Sequence, residues 1–406
     1  MDYKTHRPCV FTGTLIPGEP PLYLGLYVDD FAYFSPSDKV EAKFKELMDN
    51  KYDVSYDETL DWFLGIKFQL TESDTALKCH IHQEAFILDI VDRYNLTNCN
   101  KSHRATPFRS GFPVDNVAPS QLSSADQNIL LKKYQQLIGD LNWLSISTRP
   151  DITTIVSLLA AHTQHPAPAH HDAGLHVIKY LASTPSHGLF FTSDHSEQLH
   201  AFTHFPSQTS SLTAFCDTNW GPLGALVPKP HVTPPEQSMA SFRSISGWLI
   251  MNAGAPIAWG CARHKDTAQS SCQAEVHSIN ETTKLILELK LLFRDLNLPI
   301  TSPVEIKNDN QGAVQWAKGT TTKKMRWIDL RENLIRENIQ QKNIIVSHIP
   351  GKMNLSDIFT KKFSDTNQFL FLRDSFMISS TDFATGTTHT GATQTLSYES
   401  ALTNSL

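Results

Sequence analysis

Hydrophobic and polar positions along this chain change period several times, and each change predicts an element. Two apolar runs, Leu22–Val28 and Phe31–Phe34, flank the acidic pair Asp29-Asp30 and read as two strands joined by a tight hairpin. Beyond Ser35-Pro36-Ser37-Asp38, residues Val40, Phe44, Leu47 and Met48 recur at helical spacing, with Ser37 or Asp38 placed to cap the first turn. Residues 71–107 suggest a strand pair and then a helix near 83–94. The stretch 109–125 is rich in Ser, Pro, Gly and Asp and reads as a loop. A long helical segment over 127–147 follows, then helices through Tyr180. At 194–212 the chain turns polar, as a linker does. From Thr213 the pattern predicts three strands (213–216, 245–252, 257–262) and a long helix (273–296) with Leu285, Leu289, Leu292 and Leu296 on one face. Two short strands, 304–307 and 344–348, are separated by helical stretches at 310–318 and 328–341. The Pro-rich insert 222–242 should loop out. Beyond Asp365 the composition drifts to Ser, Thr and Gly, which predicts a disordered tail over 365–406.

A chain of 406 residues is long enough for two or three cored domains, and 40% apolar with 19% charged residues suits a globular protein. No apolar run reaches membrane-spanning length and no signal peptide is visible, which predicts a soluble intracellular protein with no membrane partner. The six cysteines show no CxxC spacing and read as reduced thiols. Five histidines between His162 and His176 lack the flanking ligands of a metal site and read as packing residues. Net charge is −6, yet residues 260–362 carry sixteen Lys/Arg against eleven Asp/Glu. That local excess includes Lys323, Lys324, Arg326 and Trp327, a basic cluster beside an aromatic ring that could pair with phosphates and stack on a base, or form a solvated helix face.

Carboxylates are the candidate chemistry. Asp29 and Asp30 repel one another unless a divalent cation neutralises them; the plain alternative is an acidic turn. Four more carboxylates recur at element ends: Asp217 after the first late strand, Glu275 in the first turn of the long helix, Asp309 after the fourth strand, and Asp357 opening the last helix. Three strands, helix, strand, helix, strand and final helix is the element order of the ribonuclease H fold. Cleaving a phosphodiester needs an activated water and a stabilised leaving oxygen, which two Mg²⁺ ions (or Mn²⁺ as a substitute) held by converging carboxylates supply. Any one of these acids alone could simply cap a helix.

Tyr27-Val28-Asp29-Asp30 resembles the palm hairpin of reverse transcriptases, and Phe63-Leu64-Gly65-Ile66-Lys67-Phe68 is similar to the primer grip of copia-type LTR retrotransposons. Tyr134–Leu141, Thr148-Arg149-Pro150-Asp151-Ile152 and Tyr180–Thr184 resemble that family's thumb and connection. With gaps, the resemblance runs from Thr5 to Phe363. It implies an α/β and α+β multidomain chain: a partial palm (1–70), a helical thumb and connection region (71–193), a linker (194–212) and a ribonuclease H-like mixed sheet with helices (213–364). It further implies that Asp217, Glu275, Asp309 and Asp357 bind two Mg²⁺, that His348 helps proton transfer, that an RNA–DNA hybrid is the substrate, and that other Pol segments are partners. A cytoplasmic virus-like particle, or the nucleus, is the implied location.

Two departures stand out. Trp327 occupies a usual His position, and His264 stands near a usual Gln. A polymerase palm also needs a third carboxylate on an upstream strand, and only Asp2 and Glu19 precede Asp29. The expectation is a ribonuclease H with an incomplete polymerase half; the alternative is a non-catalytic nucleic-acid-binding remnant.

Overall fold

The computed structural model describes residues 9–57, 59–73, 76–97, 104–109, 114, 117, 122–193, 212–220, 243–319, 333–363 and 365–386. Strands β1 (Val10–Gly13), β2 (Leu22–Tyr27) and β3 (Asp30–Phe34) form an antiparallel sheet. Tyr27 pairs with Asp30, so the loop is Val28-Asp29 and Asp30 already belongs to a strand, which puts the turn one residue earlier than the sequence suggested. Val28 takes φ 55°, a left-handed conformation that a β-branched residue adopts only under strain, and it is 83% exposed. Helix α1 (Asp38–Asp49) buries Val40 and Phe44 against this sheet. Ser37 occupies the cap position, but its hydroxyl donates to Glu19 at 2.8 Å rather than capping the helix.

A second, fully antiparallel sheet draws on three distant stretches. Its order places β13 (Met377–Ser379) beside β7 (His187–Thr192), then β6 (Leu77–His82), β5 (Ile66–Glu72) and β4 (Trp62–Phe63). Between β6 and β7 come α2 (Glu84–Arg93), α3 (Ser124–Ser147), α4 (Thr153–Ala160) and α5 (Pro168–Ser183). Ser123 caps α3 by accepting from the Asp126 amide at 3.2 Å. His170 spends both ring nitrogens on backbone, at Ala167 and Val114, and stacks on His162 at 4.1 Å.

The third sheet has the order β10-β9-β8-β11-β12, from β8 (Leu212–Asn219), β9 (Ile245–Asn252), β10 (Ala255–Arg263), β11 (Val304–Asn308) and β12 (Ile344–His348). β9 runs antiparallel to both β10 and β8, whereas β8, β11 and β12 are mutually parallel. Helices α6 (Ser271–Asp295), α7 (Gln311–Ala317) and α8 (Asn333–Gln340) complete the strand–helix succession of a ribonuclease H-like fold. Alternate residues of β8 feed opposite faces. Leu212, Ala214 and Cys216 pack with Val276, Ile279 and Ile286 of α6, while Phe215 joins Leu249 and Met251 on the other side.

That other side is continuous with the helices before it. One core contains Leu137, Leu141, Leu144, Ile155 and Val177 together with Phe215, Leu249, Ile358 and Phe359. Hydrogen bonds cross the same seam: Trp259 Nε1 donates to Ser145 O at 2.8 Å and Thr154 Oγ1 to Ile358 O at 2.7 Å. Of the expected linker, only Leu212 is described, and it is a buried strand residue; the Pro-rich insert 222–242 lies outside the described residues.

The expected disordered tail is corrected in part. Residues 366–385 form α9 (Thr366–Asp374), β13 and α10 (Ser380–Thr385), with Phe369, Leu372 and Phe376 fully buried. The Ser/Thr drift masked seven large apolar residues from Phe369 to Ile378, enough to dock this segment on the common core.

Candidate active site

Parallel pairing sets β8 and β11 side by side, so both deliver an acid at the same edge of the sheet. Asp217 is the antepenultimate residue of β8, and Asp309 directly follows the last residue of β11. The third acid, Asp357, sits in a single 3₁₀ turn, Leu355–Phe359, where a final α-helix had been expected. That turn presses onto β9 at Gly247, the residue registered opposite Asp217. A Cβ on Gly247 would lie 2.6 Å from Phe359 Cβ and 2.8 Å from Thr360 Cγ2, so only glycine admits the turn. One oxygen from each of Asp217, Asp309 and Asp357 falls within 4.8 Å of the other two.

Glu275 stands beside this trio, one turn into α6 rather than in its first turn. Thr218 Oγ1 ties the helix start to β8 by donating to Ala274 O at 3.0 Å. Asn308 Nδ2 donates to Glu275 Oε2 at 2.9 Å and to Cys216 O at 3.1 Å, which fixes the carboxyl relative to β8. Asn354 donates to the same Cys216 carbonyl at 3.0 Å and accepts from Ser356, bracing the turn that carries Asp357. Thr360 Oγ1 donates to Asp217 Oδ2. At Gly351 a Cβ would come within 3.0 Å of Asp309 Oδ2, so the space beside that oxygen depends on the missing side chain.

Electrostatically the cluster is strained by its own charge. Burial, followed by the charge of Asp217, pushes Glu275 up to about 9 and Asp357 up to about 8; the same two causes raise Asp309. Asp357 Oδ1 is buried and faces the Lys361 ammonium at 2.7 Å. All the acids offer hard oxygen donors, and their mutual repulsion is what a divalent cation relieves, so the residues fit such an ion. The folded chain here holds protons that the unfolded chain releases above about pH 4–4.5, so rising pH favours unfolding until the raised values near 8–9 are passed. In chelator, the melting temperature should therefore fall between pH 5 and 9. Saturating Mg²⁺ should flatten or reverse that slope, because binding requires the ionised carboxylates; melts across this range in EDTA and in Mg²⁺ check it.

His348 lies exposed at the end of β12, its Nε2 3.1 Å from Asp309 O. His264, near the position of a usual Gln, is buried, with Nε2 2.6 Å from Ser246 Oγ and its ring 4.3 Å from that of His277. Burial pushes it down to about 4, so it is neutral at neutral pH. Lys323, Lys324, Arg326 and Trp327 lie outside the described residues. Asp29 and Asp30 are exposed at the hairpin tip, and among the described residues no third acid, His or Cys completes a cluster with them. Glu19 is occupied elsewhere, by Ser37 and by Lys39 at 3.3 Å.

A family model described as "Reverse transcriptase (RNA-dependent DNA polymerase)" matches residues 6–109, which include the hairpin. The Pol polyprotein of transposon RE1 from Arabidopsis thaliana is 25% identical over 350 residues, covering 86% of this chain and 21% of that protein. That of transposon TNT 1-94 from Nicotiana tabacum is 23% identical over 360 residues, covering 88% and 24%. The chain is related to retrotransposon Pol polyproteins. It spans about a fifth to a quarter of the length of these relatives. Among solved structures, ribonuclease H1 of Halobacterium salinarum is 14% identical, with 37% of this chain and 93% of that one covered at a TM-score of 0.26. LC11 ribonuclease H1 in complex with an RNA/DNA hybrid is 15% identical over 37% and 93%, also at 0.26. The ribonuclease H-like fold is carried by strand order and direction in this Pol-related chain.

Around the acids, sequence reasoning missed Asn308, Gly351, Asn354, Thr360 and Lys361. Adjacency offered a signal for some: Asn308 precedes Asp309, and Thr360 and Lys361 follow Asp357 by three and four residues. For Asn354 and Gly351 little local marks the role, since Cys216 and Asp309, which they meet, lie far away in sequence.

Proposed function

We propose that this chain hydrolyses the RNA strand of RNA–DNA hybrids at the Asp217–Glu275–Asp309–Asp357 cluster, as a reverse transcriptase/ribonuclease H segment of a Pol polyprotein. The observation that supports this best is the convergence of three carboxylates within 4.8 Å, two at the ends of adjacent parallel strands and one on the 3₁₀ turn beside them. Two Mg²⁺ ions held by the four acids, with Mn²⁺ as a substitute, would supply an activated water and a stabilised leaving oxygen. Asn308, Asn354 and Thr360 orient the carboxylates, so little reorganisation is needed when substrate arrives. His348 donates through Nε2 to Asp309 O in its neutral form, which leaves Nδ1 to accept a proton at the rim.

The hybrid is read by its shape, phosphates and 2′-OH groups. We assign Lys323, Lys324, Arg326 and Trp327 to phosphate pairing and stacking. Residues 213–364 carry the chemistry, with the palm-like part (1–70) and the connection (71–193) as support, and with other Pol segments as partners in an intracellular particle. Asp29 and Asp30 are two exposed carboxylates with no described third, so polymerisation is not assigned to them.

The test is cleavage of an end-labelled RNA–DNA hybrid by the full chain in Mg²⁺ and in EDTA, beside single-stranded RNA. The expected result is Mg²⁺-dependent cutting of the hybrid's RNA strand alone. A folded chain that binds the hybrid without cutting it overturns the reading and leaves a non-catalytic nucleic-acid-binding remnant.

A further inference from the structure

Lys361 places its ammonium among the acids. Nζ lies 2.7 Å from Asp357 Oδ1 and 4.0 Å from Asp217 Oδ2, two carboxylates of the converging trio. Its backbone is anchored, since the Lys361 amide donates to Asp357 O at 2.9 Å, four residues back, directly after the 3₁₀ turn. Its side chain is 40% exposed, so the four-carbon stem has a way out to solvent. A divalent cation on the same oxygens sits about 2.0–2.1 Å from each. The ammonium could not keep its position beside such an ion, because two like charges would then stand within contact distance in a half-buried site.

We propose that Lys361 is a displaceable resident counter-ion: it neutralises the acidic cluster in the metal-free chain and sets the cation concentration at which the site loads. The inference rests on the metal-binding reading of this cluster and assigns a positioning residue to it. In the metal-free state Lys361 lowers the repulsion among Asp217, Asp309 and Asp357. On loading it withdraws along its exposed stem. A lysine serves this purpose better than an arginine, whose planar fork would grip a carboxylate through two hydrogen bonds and resist displacement.

The experiment is calorimetric titration of Mn²⁺ into the full chain, with melting in EDTA and in saturating Mn²⁺. The variants are Lys361→Met, Lys361→Arg, Asp309→Asn and a surface control, Lys284→Met, whose ion-pair partner is Glu281 at 2.7 Å rather than a cluster acid. Lys361→Met should bind Mn²⁺ roughly three- to tenfold more tightly than the parent and melt lower in EDTA. Lys361→Arg should bind more weakly, a shift in the opposite sense that remains readable if the Met variant fails to fold. Lys284→Met should match the parent. A parent that binds Mn²⁺ with the same affinity as both Lys361 variants overturns the counter-ion role and leaves the metal site standing. Absence of Asp309-dependent Mn²⁺ binding by the parent removes the site itself, and the role of Lys361 with it.

Discussion

Asp217→Asn is expected to lower Mg²⁺-dependent cleavage of an RNA–DNA hybrid by roughly a thousandfold or more, without unfolding the chain. Asp217 is the acid that the others feel: its charge is the leading electrostatic cause raising Glu275, Asp309 and Asp357. Asparagine preserves the shape and can still accept the Thr360 hydroxyl through its amide oxygen. What it loses is one anionic carboxylate at the edge where the two parallel strands end. The same substitution removes a repulsive charge, so in EDTA the variant should melt no lower than the parent. That opposition distinguishes a site held for chemistry from one held for stability. Initial rates on labelled hybrid, taken with melts in EDTA, check both halves. Retained activity at near-parental rates would remove Asp217 from the mechanism.

Arg149→Met is expected to destabilise the chain by about 3–5 kcal/mol, the cost of leaving a buried carboxylate without its cation. Arg149 and Asp151 are both fully buried, and the guanidinium bonds Asp151 through Nε at 2.9 Å and Nη2 at 2.7 Å. Its remaining donors reach Thr184 O and Oγ1, each at 2.8 Å. Tyr180 donates to Asp151 Oδ2 at 2.6 Å, and Arg373 of α9 lies behind Tyr180. The network therefore fastens the turn after α3 to the end of α5 and to α9. Removing Arg149 leaves Asp151 with the Tyr180 hydroxyl as its remaining side-chain donor among the described contacts. Replacing both partners, as Arg149→Met with Asp151→Leu, should recover much of the loss, because no buried charge is then stranded. Urea unfolding of the parent, the single and the double variant measures this. A single-variant loss below about 1 kcal/mol would show that the pair is not the fastening it looks to be.

How far the site was legible differs residue by residue. Asp217 and Asp309 could be picked out because strand ends are short-range features: an apolar run stops and an acid follows; Asp357 was picked out as a helix opener and lies in a 3₁₀ turn. Glu275 was found as well, but a helix start is harder to fix by a few residues, and it proved to lie one turn deeper. Thr148-Arg149-Pro150-Asp151-Ile152 was visible as a motif, with nothing local to say that its charges would be buried against Tyr180 and Thr184. The 365–386 segment was misjudged because composition averages over a window, whereas docking depends on a few apolar residues such as Phe369 and Phe376.

By itself the sequence determined element order, the switch from hairpin and helices to a mixed strand–helix pattern, and which acids end which elements. Each of these is a property of neighbours along the chain, set by local sterics and by hydrophobic period. Tertiary structure alone decided that the connection helices and the third sheet share one core, that Gly247 admits the turn bearing Asp357, and that Lys361 lies among the acids. Those outcomes depend on close packing and unscreened charge between residues far apart in sequence. Such interactions leave no periodic trace along the chain.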